Sequence, residues 1–338
     1  MDLPRRHHYL PQFLLSGFAS RSTGKDFYAW MFRRGISPLE TNLRNLAQQR
    51  DFHGNPNDSP LERIMSGYES RFAPVIEELR LGLVPEAAVP TICEFAAHLM
   101  VRTKNIRAGF VEATEVFLGQ IGEALPTMDR KKWKNKIKKA TRKQMREGEA
   151  RDQMRKIPKA QRRLFTRALE KQICDIDFRP VVSELFNSVR ENLDLKKIGN
   201  SGHIQALNKA IAPQLKLESV SHLQWQSVAC APHSFILGDV GIFGRCEGER
   251  EYRNLVGATP CIEILIVPVS HSVCLFGTSG TMELPQSDEI NLNSAQLSRE
   301  LFLASQSTER EAQCQTQLGK RAALISDKDL SDIVGRIT

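Results

Sequence analysis

The order of textures along the chain restricts its fold more than any single motif does. Between residues 59 and 215 apolar residues recur at helical spacing, while short apolar or aromatic runs flanked by turn signals precede and follow that section. The helical section opens on Ser59-Pro60-Leu61-Glu62, which reads as a Ser N-cap, a Pro at the first helical position and a Glu three residues after the cap. Leu61, Ile64, Met65, Tyr68 and Phe72 follow at helical spacing, with Pro74 expected to kink or restart the helix. A longer helix is expected over 86–125, and a further one over 159–195 after a break at Pro158. Lys25–Phe32 is aromatic-rich, strand-like and ends at Gly35, ahead of a polar loop over 54–58. From Lys216 onward Ser234–Leu237, Cys261–Val267 and Ser272–Phe276 read as strands, Gly277–Gly280 as a hairpin turn and Ser294–Leu303 as a helix. The expected fold is α+β, with long helices packed on a small, mostly antiparallel sheet formed largely by the C-terminal third. The expected organisation is an N-terminal strap and strand (1–58), a helical region (59–215) and a sheet-containing region (216–338) that joins 1–58 in one compact domain.

With 338 residues, 41% hydrophobic and 25% charged, the chain can bury a sizeable core. No apolar run approaches the roughly 20 residues of a membrane span. Pro11, Gln12, Ser16 and Gly17 interrupt the apolar stretch that follows Arg5 and Arg6, so it does not read as a signal peptide. Seven scattered cysteines without a CxxC fit reduced thiols and a cytoplasmic protein. The net charge of +8 is unevenly spread: residues 130–163 carry sixteen Lys or Arg against three acids, a local +13 that leaves −5 for the rest.

Adjacent histidines, His7 and His8, stand between a basic pair and Tyr9-Leu10-Pro11-Gln12-Phe13, before any long regular element. Imidazole can serve as base, acid or metal ligand near neutral pH. Equally, Tyr9, Phe13, Leu14 and Phe18 could dock an ordered strap in which one ring makes a buried hydrogen bond. Arg102 lies about 60° from Leu99 on a helical wheel, on the flank of a stripe formed by Ile92, Phe95, Leu99, Ile106 and Phe110. A guanidinium there needs partners, because an unpaired buried charge is very costly. Glu62 and Glu69 are the nearest candidates in sequence; the capping position accounts for Glu62, and nothing local accounts for Glu69. Such an arginine serves either as a helix–helix ion pair or as a clamp for phosphate or carboxylate. Asp239 follows Phe235-Ile236-Leu237-Gly238 and is either a presented carboxylate or a turn residue; Glu263, on a strand face with Cys261, Leu265 and Val267, is a second acid for a divalent cation. The restriction-type nuclease ending, an acid followed two residues later by Lys, is absent there, as are HExxH, GxSxG, GxGxxG and P-loop signatures.

The basic block places Trp133, Ile137 and Ala140 on one narrow face. Lys131, Lys132, Lys134, Lys136, Lys138, Lys139, Arg142 and Lys143 are left to meet a phosphate backbone, an acidic surface or water.

Arg6-His7-His8-Tyr9-Leu10-Pro11-Gln12-Phe13-Leu14-Leu15-Ser16-Gly17-Phe18 resembles the opening signature of the bacterial family catalogued as domain of unknown function 4238. Asn45-Leu46-Ala47, Asp51-Phe52, Leu61-Glu62 with Glu69, Arg102-Thr103, Phe235 to Asp239, and Asn291 ahead of the last helix follow in the family's order. Two departures stand out: Leu237 and Gly238 precede Asp239, with Gly241 where the family has Pro, and 130–163 is a local elaboration. The resemblance implies that His7, His8, Glu69, Arg102, Asp239 and Asn291 converge in space, and it specifies no reaction.

Two functions follow as expectations. One is an RNA- or DNA-binding protein that uses the basic arm. The other is a metal-dependent phosphodiesterase in nucleic-acid processing or phage defence. There Asp239 and Glu69 would hold Mg²⁺ or Mn²⁺, His8 would act as base or ligand, and Arg102 would steady a phosphate.

Overall fold

Aromatic side chains at a period of two, Tyr28, Trp30 and Phe32, mark the longest strand of the N-terminal region. In a computed structural model describing residues 6–54, 61–127, 129–230, 234–255 and 261–323, the chain opens with β1 (Arg6–His8), α1 (Gln12–Ser16), β2 (Arg21–Thr23), β3 (Asp26–Arg33), β4 (Ile36–Asn42) and β5 (Gln48–Arg50). Along β3, Ala29 is buried in the main core on one face and Phe32 in a second cluster with Ile236, Phe302 and Leu318 on the other. The described residues fall into two compact units, one built from 6–111 and 196–323, the other from 112–195.

The first unit continues with α2 (Leu61–Arg80), which buries Leu61, Met65, Phe72, Ile76 and Leu79 and runs on through Pro74. The proposed Ser59–Pro60 cap lies outside the described residues. Next, α3 (Val89–Arg102) stops at Thr103, whose backbone is extended, and α4 (Lys104–Thr127) starts immediately afterwards. The single helix expected over 86–125 is therefore two, preceded by a 3₁₀ turn at Glu86–Ala88. The break also removes Phe110 from the expected stripe: Ile92, Phe95, Leu99 and Ile106 are buried, whereas Phe110 is exposed.

In the second unit, α5 (Arg130–Gln144), α6 (Gly148–Lys156), α7 (Lys159–Asp175) and α8 (Arg179–Glu191) follow the end of α4. Pro180 near the start of α8 and an extended Ile176 split the helix expected over 159–195. Asp129 caps α5 through the amides of Lys131 and Lys132. Trp133, Ile137 and Thr141 form the half-buried edge of α5; Ala140, expected on that edge, is exposed.

The chain re-enters the first unit along α9 (Leu195–Lys209) and continues through α10 (Gln214–Val220), β6 (Gln224–Ala229), β7 (Leu237–Gly238), β8 (Phe243–Cys246), β9 (Ile262–Pro268), β10 (Val273–Thr278), α11 (Ser287–Leu297), β11 (Leu301–Ala304) and α12 (Glu309–Gln317). Among the described residues, all paired strands are antiparallel. One sheet has the order β6-β10-β9-β8; in another, β3 pairs with β2, β4 and β11, and β11 pairs with β7; β1 and β5 form a two-stranded ribbon. The α+β class is as expected; among the described residues six strands lie from Gln224 onward, and the first 50 residues supply another five. Gly277 lies inside β10 rather than in a hairpin turn. The expected helix over 294–303 ends at Leu297, and the rest of that stretch is β11. The main core joins Leu10, Leu14, Leu15 and Phe18 of the strap region to Phe72, Phe95, Leu265 and Phe276. No described helix is long and apolar enough to cross a membrane.

Candidate functional site

Seven residues separate Glu62 from Glu69, so α2 presents both carboxylates on one face two turns apart. Glu62 accepts a hydrogen bond from Nδ1 of His53 at 2.7 Å and lies 3.7 Å from Nε2 of His7. The two rings stack, with centroids 4.9 Å apart and planes 18° apart. Both are sealed from water, whereas the Glu62 side chain is 37% exposed. His7 is placed by ribbon pairing opposite Gln49 of β5. His53 arrives by a turn: Ala47 and Asp51, on either side of β5, take left-handed backbone angles of +48° and +54°. The backbone amide of His53 then donates to Nδ1 of His7 at 3.1 Å.

That last bond sets the proton positions. Nδ1 of His7 accepts, so the neutral ring carries its proton on Nε2, facing Glu62; His53 donates from Nδ1, so its Nε2 is a bare lone pair. Neither Nε2 has a hydrogen-bond partner among the described residues. Burial lowers the His53 pKa to about 4, with Arg102 and His7 adding to the effect and Glu62 opposing it. The His53 hydrogen bond and nearby cations hold the Glu62 carboxyl below its ordinary value against the opposing pull of burial.

Beside this cluster, Nη1 of Arg102 lies 2.6 Å from Glu69 and donates to Nε2 of His98 at 3.2 Å, and Nη2 donates to the carbonyl of His8 at 2.7 Å. Arg102 thus joins α2, α3 and β1. A parallel node surrounds Arg107, which donates to the Phe52 carbonyl at 2.5 Å and to Nδ1 of His203, with its guanidinium 3.8 Å from the Phe52 ring centre. His203 in turn donates from Nε2 to the carbonyl of Val101 at 2.7 Å. Burial lowers the pKa of His203 to about 4, that of His98 well below its ordinary value, and that of Arg107 to about 10.

The other proposed site residues have different neighbours. His8 is half-buried, lowered in pKa chiefly by burial, and accepts from the Gln12 side chain at 3.2 Å. Asp239 is buried; one carboxylate oxygen accepts from the amide of Arg299 and from Nδ2 of Asn105, the other from the amides of Glu300 and Leu301. Asn291 accepts from the amide of Ile236 and donates to the carbonyl of Ser234. Glu263 accepts from Nε of Arg245 at 2.8 Å. The structure therefore brings His7 to Glu62, and Arg102 to Glu69 and the His8 backbone, while Asp239 and Asn291 engage backbone groups. His53, His98 and His203 had no sequence signal of their own; the one available clue was the seven-residue spacing of Glu62 and Glu69, which meet His53 and Arg102.

Within the second unit, α5 and α7 are linked by Arg142, whose Nε and Nη2 donate to the two carboxylate oxygens of Glu170 at 2.6 and 3.0 Å. A groove of about 630 Å³ runs along α5, lined by Asn135, Lys138, Lys139, Arg142, Lys143, Arg146 and Glu147. A second groove of about 450 Å³ shares Arg142 and Arg146 with it and adds Arg163 and Arg167.

An α+β chain with antiparallel sheets, in which buried histidines and an arginine hold two partly exposed glutamate carboxylates, is the class these observations define. The chain belongs to the family described as "Protein of unknown function (DUF4238)", whose model matches residues 6–313. No curated protein and no solved structure matches it.

Proposed function

We propose that the protein binds RNA or DNA through the basic grooves of its second unit. The observation behind this reading is that Lys138, Lys139, Lys143 and Arg146 gather along one concave wall that Arg163 and Arg167 extend. Phosphate backbones are recognised by such cations without base reading, and each neutralised phosphate releases counterions. The Arg142–Glu170 pair fixes the spacing of the walls while leaving the neighbouring lysines to the ligand. Binding is tested by titrating end-labelled RNA and DNA at several salt concentrations. Four to six phosphate contacts give a log–log salt slope of about −3 to −5. The triple change Lys138→Gln, Lys139→Gln, Lys143→Gln removes about three units of slope; retained binding with an unchanged slope refutes the proposal.

A second reading, hydrolysis of a phosphodiester, has its own support in the first unit. Glu62 and Glu69, held by His53 and Arg102, present carboxylates that reach solvent and can accept a proton. It is tested by incubating the same nucleic acids with divalent ions or with EDTA, beside Glu62→Gln; cutting that depends on Glu62 supports it, and uncut substrate under every condition removes it.

A further inference from the structure

We infer that His7, His53 and Glu62 form a binding site for a single divalent transition-metal ion of the zinc type. Each residue offers a ligand atom, and the three atoms lie within 4.8 Å of one another. Two separations, 2.7 Å from His53 Nδ1 to Glu62 Oε2 and 3.7 Å from His7 Nε2 to the same oxygen, bracket the roughly 3.3 Å between ligands set on bonds of about 2.0–2.1 Å around a tetrahedral ion. Both histidines are more than nine-tenths buried, and each leaves an Nε2 with no hydrogen-bond partner among the described residues. Buried polar atoms are rarely left so, and an ion accounts for the nitrogen of His7 directly.

The donor set selects the ion. Two imidazoles and one carboxylate suit zinc and its neighbours, whereas Mg²⁺ and Ca²⁺ prefer all-oxygen shells. The nearby positive charge of Arg102 is already matched by Glu69 at 2.6 Å, so Glu62 is the carboxylate left for the ion. Because Glu62 is 37% exposed, the ion would have a path to solvent and room for a fourth, exchangeable ligand.

Proton positions give binding a particular signature. An ion on Nδ1 of His53 moves that ring's proton to Nε2, which is bare. An ion on Nε2 of His7 moves that ring's proton to Nδ1, which ends the hydrogen bond it accepts from the His53 amide. Loading therefore exchanges the tautomer of both rings and releases the amide of residue 53. The site lies in the first unit and does not depend on the nucleic-acid reading of the second.

The test uses the full chain freed of metal with EDTA and titrated with Zn²⁺ against a chromophoric chelator. Wild type and His222→Ala, which removes an exposed histidine, are expected to take up one ion per chain with equal affinity. Glu62→Gln and His53→Ala are expected to bind about 100-fold more weakly. If His53→Ala fails to fold, Glu62→Gln carries the comparison, because its partly exposed side chain keeps size and shape. Substitution with Co²⁺ is expected to give a spectrum without thiolate charge-transfer bands, and ¹⁵N spectra of histidine are expected to show the two tautomer changes. Absence of Zn²⁺ uptake by the wild type, undiminished uptake by Glu62→Gln, or thiolate bands that assign the ion to cysteines would each overturn the inference.

Discussion

Glu69 and Arg102 make an ion pair of 2.6 Å in which only the carboxylate meets water: the arginine side chain is 1% exposed, that of the glutamate 29%. Besides Glu69, the buried guanidinium meets two fixed acceptors, Nε2 of His98 through Nη1 and the carbonyl of His8 through Nη2, while its Nε has no hydrogen-bond partner among the described residues. A sealed arginine of this kind orients the strand that carries His7 and His8, and with it the geometry around Glu62.

Arg102→Ala leaves the buried end of the site without a donor for the His8 carbonyl and without the volume of the guanidinium, while Glu69 loses a partner that water can replace only in part. The expected loss is about 3–5 kcal/mol of folding stability. Arg102→Lys recovers only part of it, because one ammonium on a flexible stem cannot reproduce a planar fork serving acceptors on different elements. Urea denaturation measures both; a loss below about 1 kcal/mol for the alanine variant contradicts this account of the node.

Asp239 provides a different test. Its two oxygens accept four N–H groups, at 2.7 to 3.2 Å, three of them consecutive backbone amides at the end of α11 and start of β11. Asp239→Asn sets an NH₂ against amide donors and removes the charge they solvate, for an expected cost of about 2–3 kcal/mol. A variant that folds with undiminished stability and loses only an activity would return Asp239 to chemistry.

The same carboxylate explains one limit of the sequence reading. Ser294 to Leu303 has the look of a helix, yet the amides of Arg299, Glu300 and Leu301 are taken by an aspartate about sixty residues earlier in the chain, and β11 begins there. All four residues of β11 are buried, so no alternation marks it as a strand. By contrast, β3, β9 and β10 were legible from their aromatic and β-branched runs, and the Arg102–Glu69 pairing from helical spacing together with the cost of a buried charge. His53 was not legible, because its position depends on left-handed backbone at Ala47 and Asp51, neither of them glycine. Local residues announce periodicity; they do not announce which distant group a loop will meet.

Gly17, in the opening motif, has a packing reason to be glycine. A Cβ there would stand 2.4 Å from the carbonyl oxygen of Val269 and 2.5 Å from Nη2 of Arg80. Arg80 is itself held, donating to the carbonyls of Phe13 and Val269 at 2.6 and 2.9 Å, so neither neighbour can yield freely. Gly17→Ala is expected to cost about 1–3 kcal/mol, as overpacking does in well-filled cores. A midpoint in urea equal to that of the wild type would show that the strap gives way at no cost.

Buried histidines make stability depend on pH in a definite direction. His53 and His203 titrate near 4 in the folded protein because burial disfavours their charged forms, against about 6.5 when unfolded. Between those values the unfolded chain binds protons that the folded one refuses, so acid favours unfolding. Stability from these rings is complete above about pH 6.5 and is lost as the pH falls towards 4, reaching roughly 2 kcal/mol per ring by pH 5. His98 shifts in the same direction, and Glu62, with its carboxyl held low, adds a further loss at still lower pH. Denaturation midpoints at pH 7.5, 6 and 5 are expected to fall steadily, with no minimum. His203→Gln keeps a polar group near Arg107 but cannot titrate, and it is expected to flatten the slope by about one proton between pH 6 and 5. A wild-type curve level from pH 7.5 to 5 would mean that these rings take up protons in the folded state, and with it a cluster open to water.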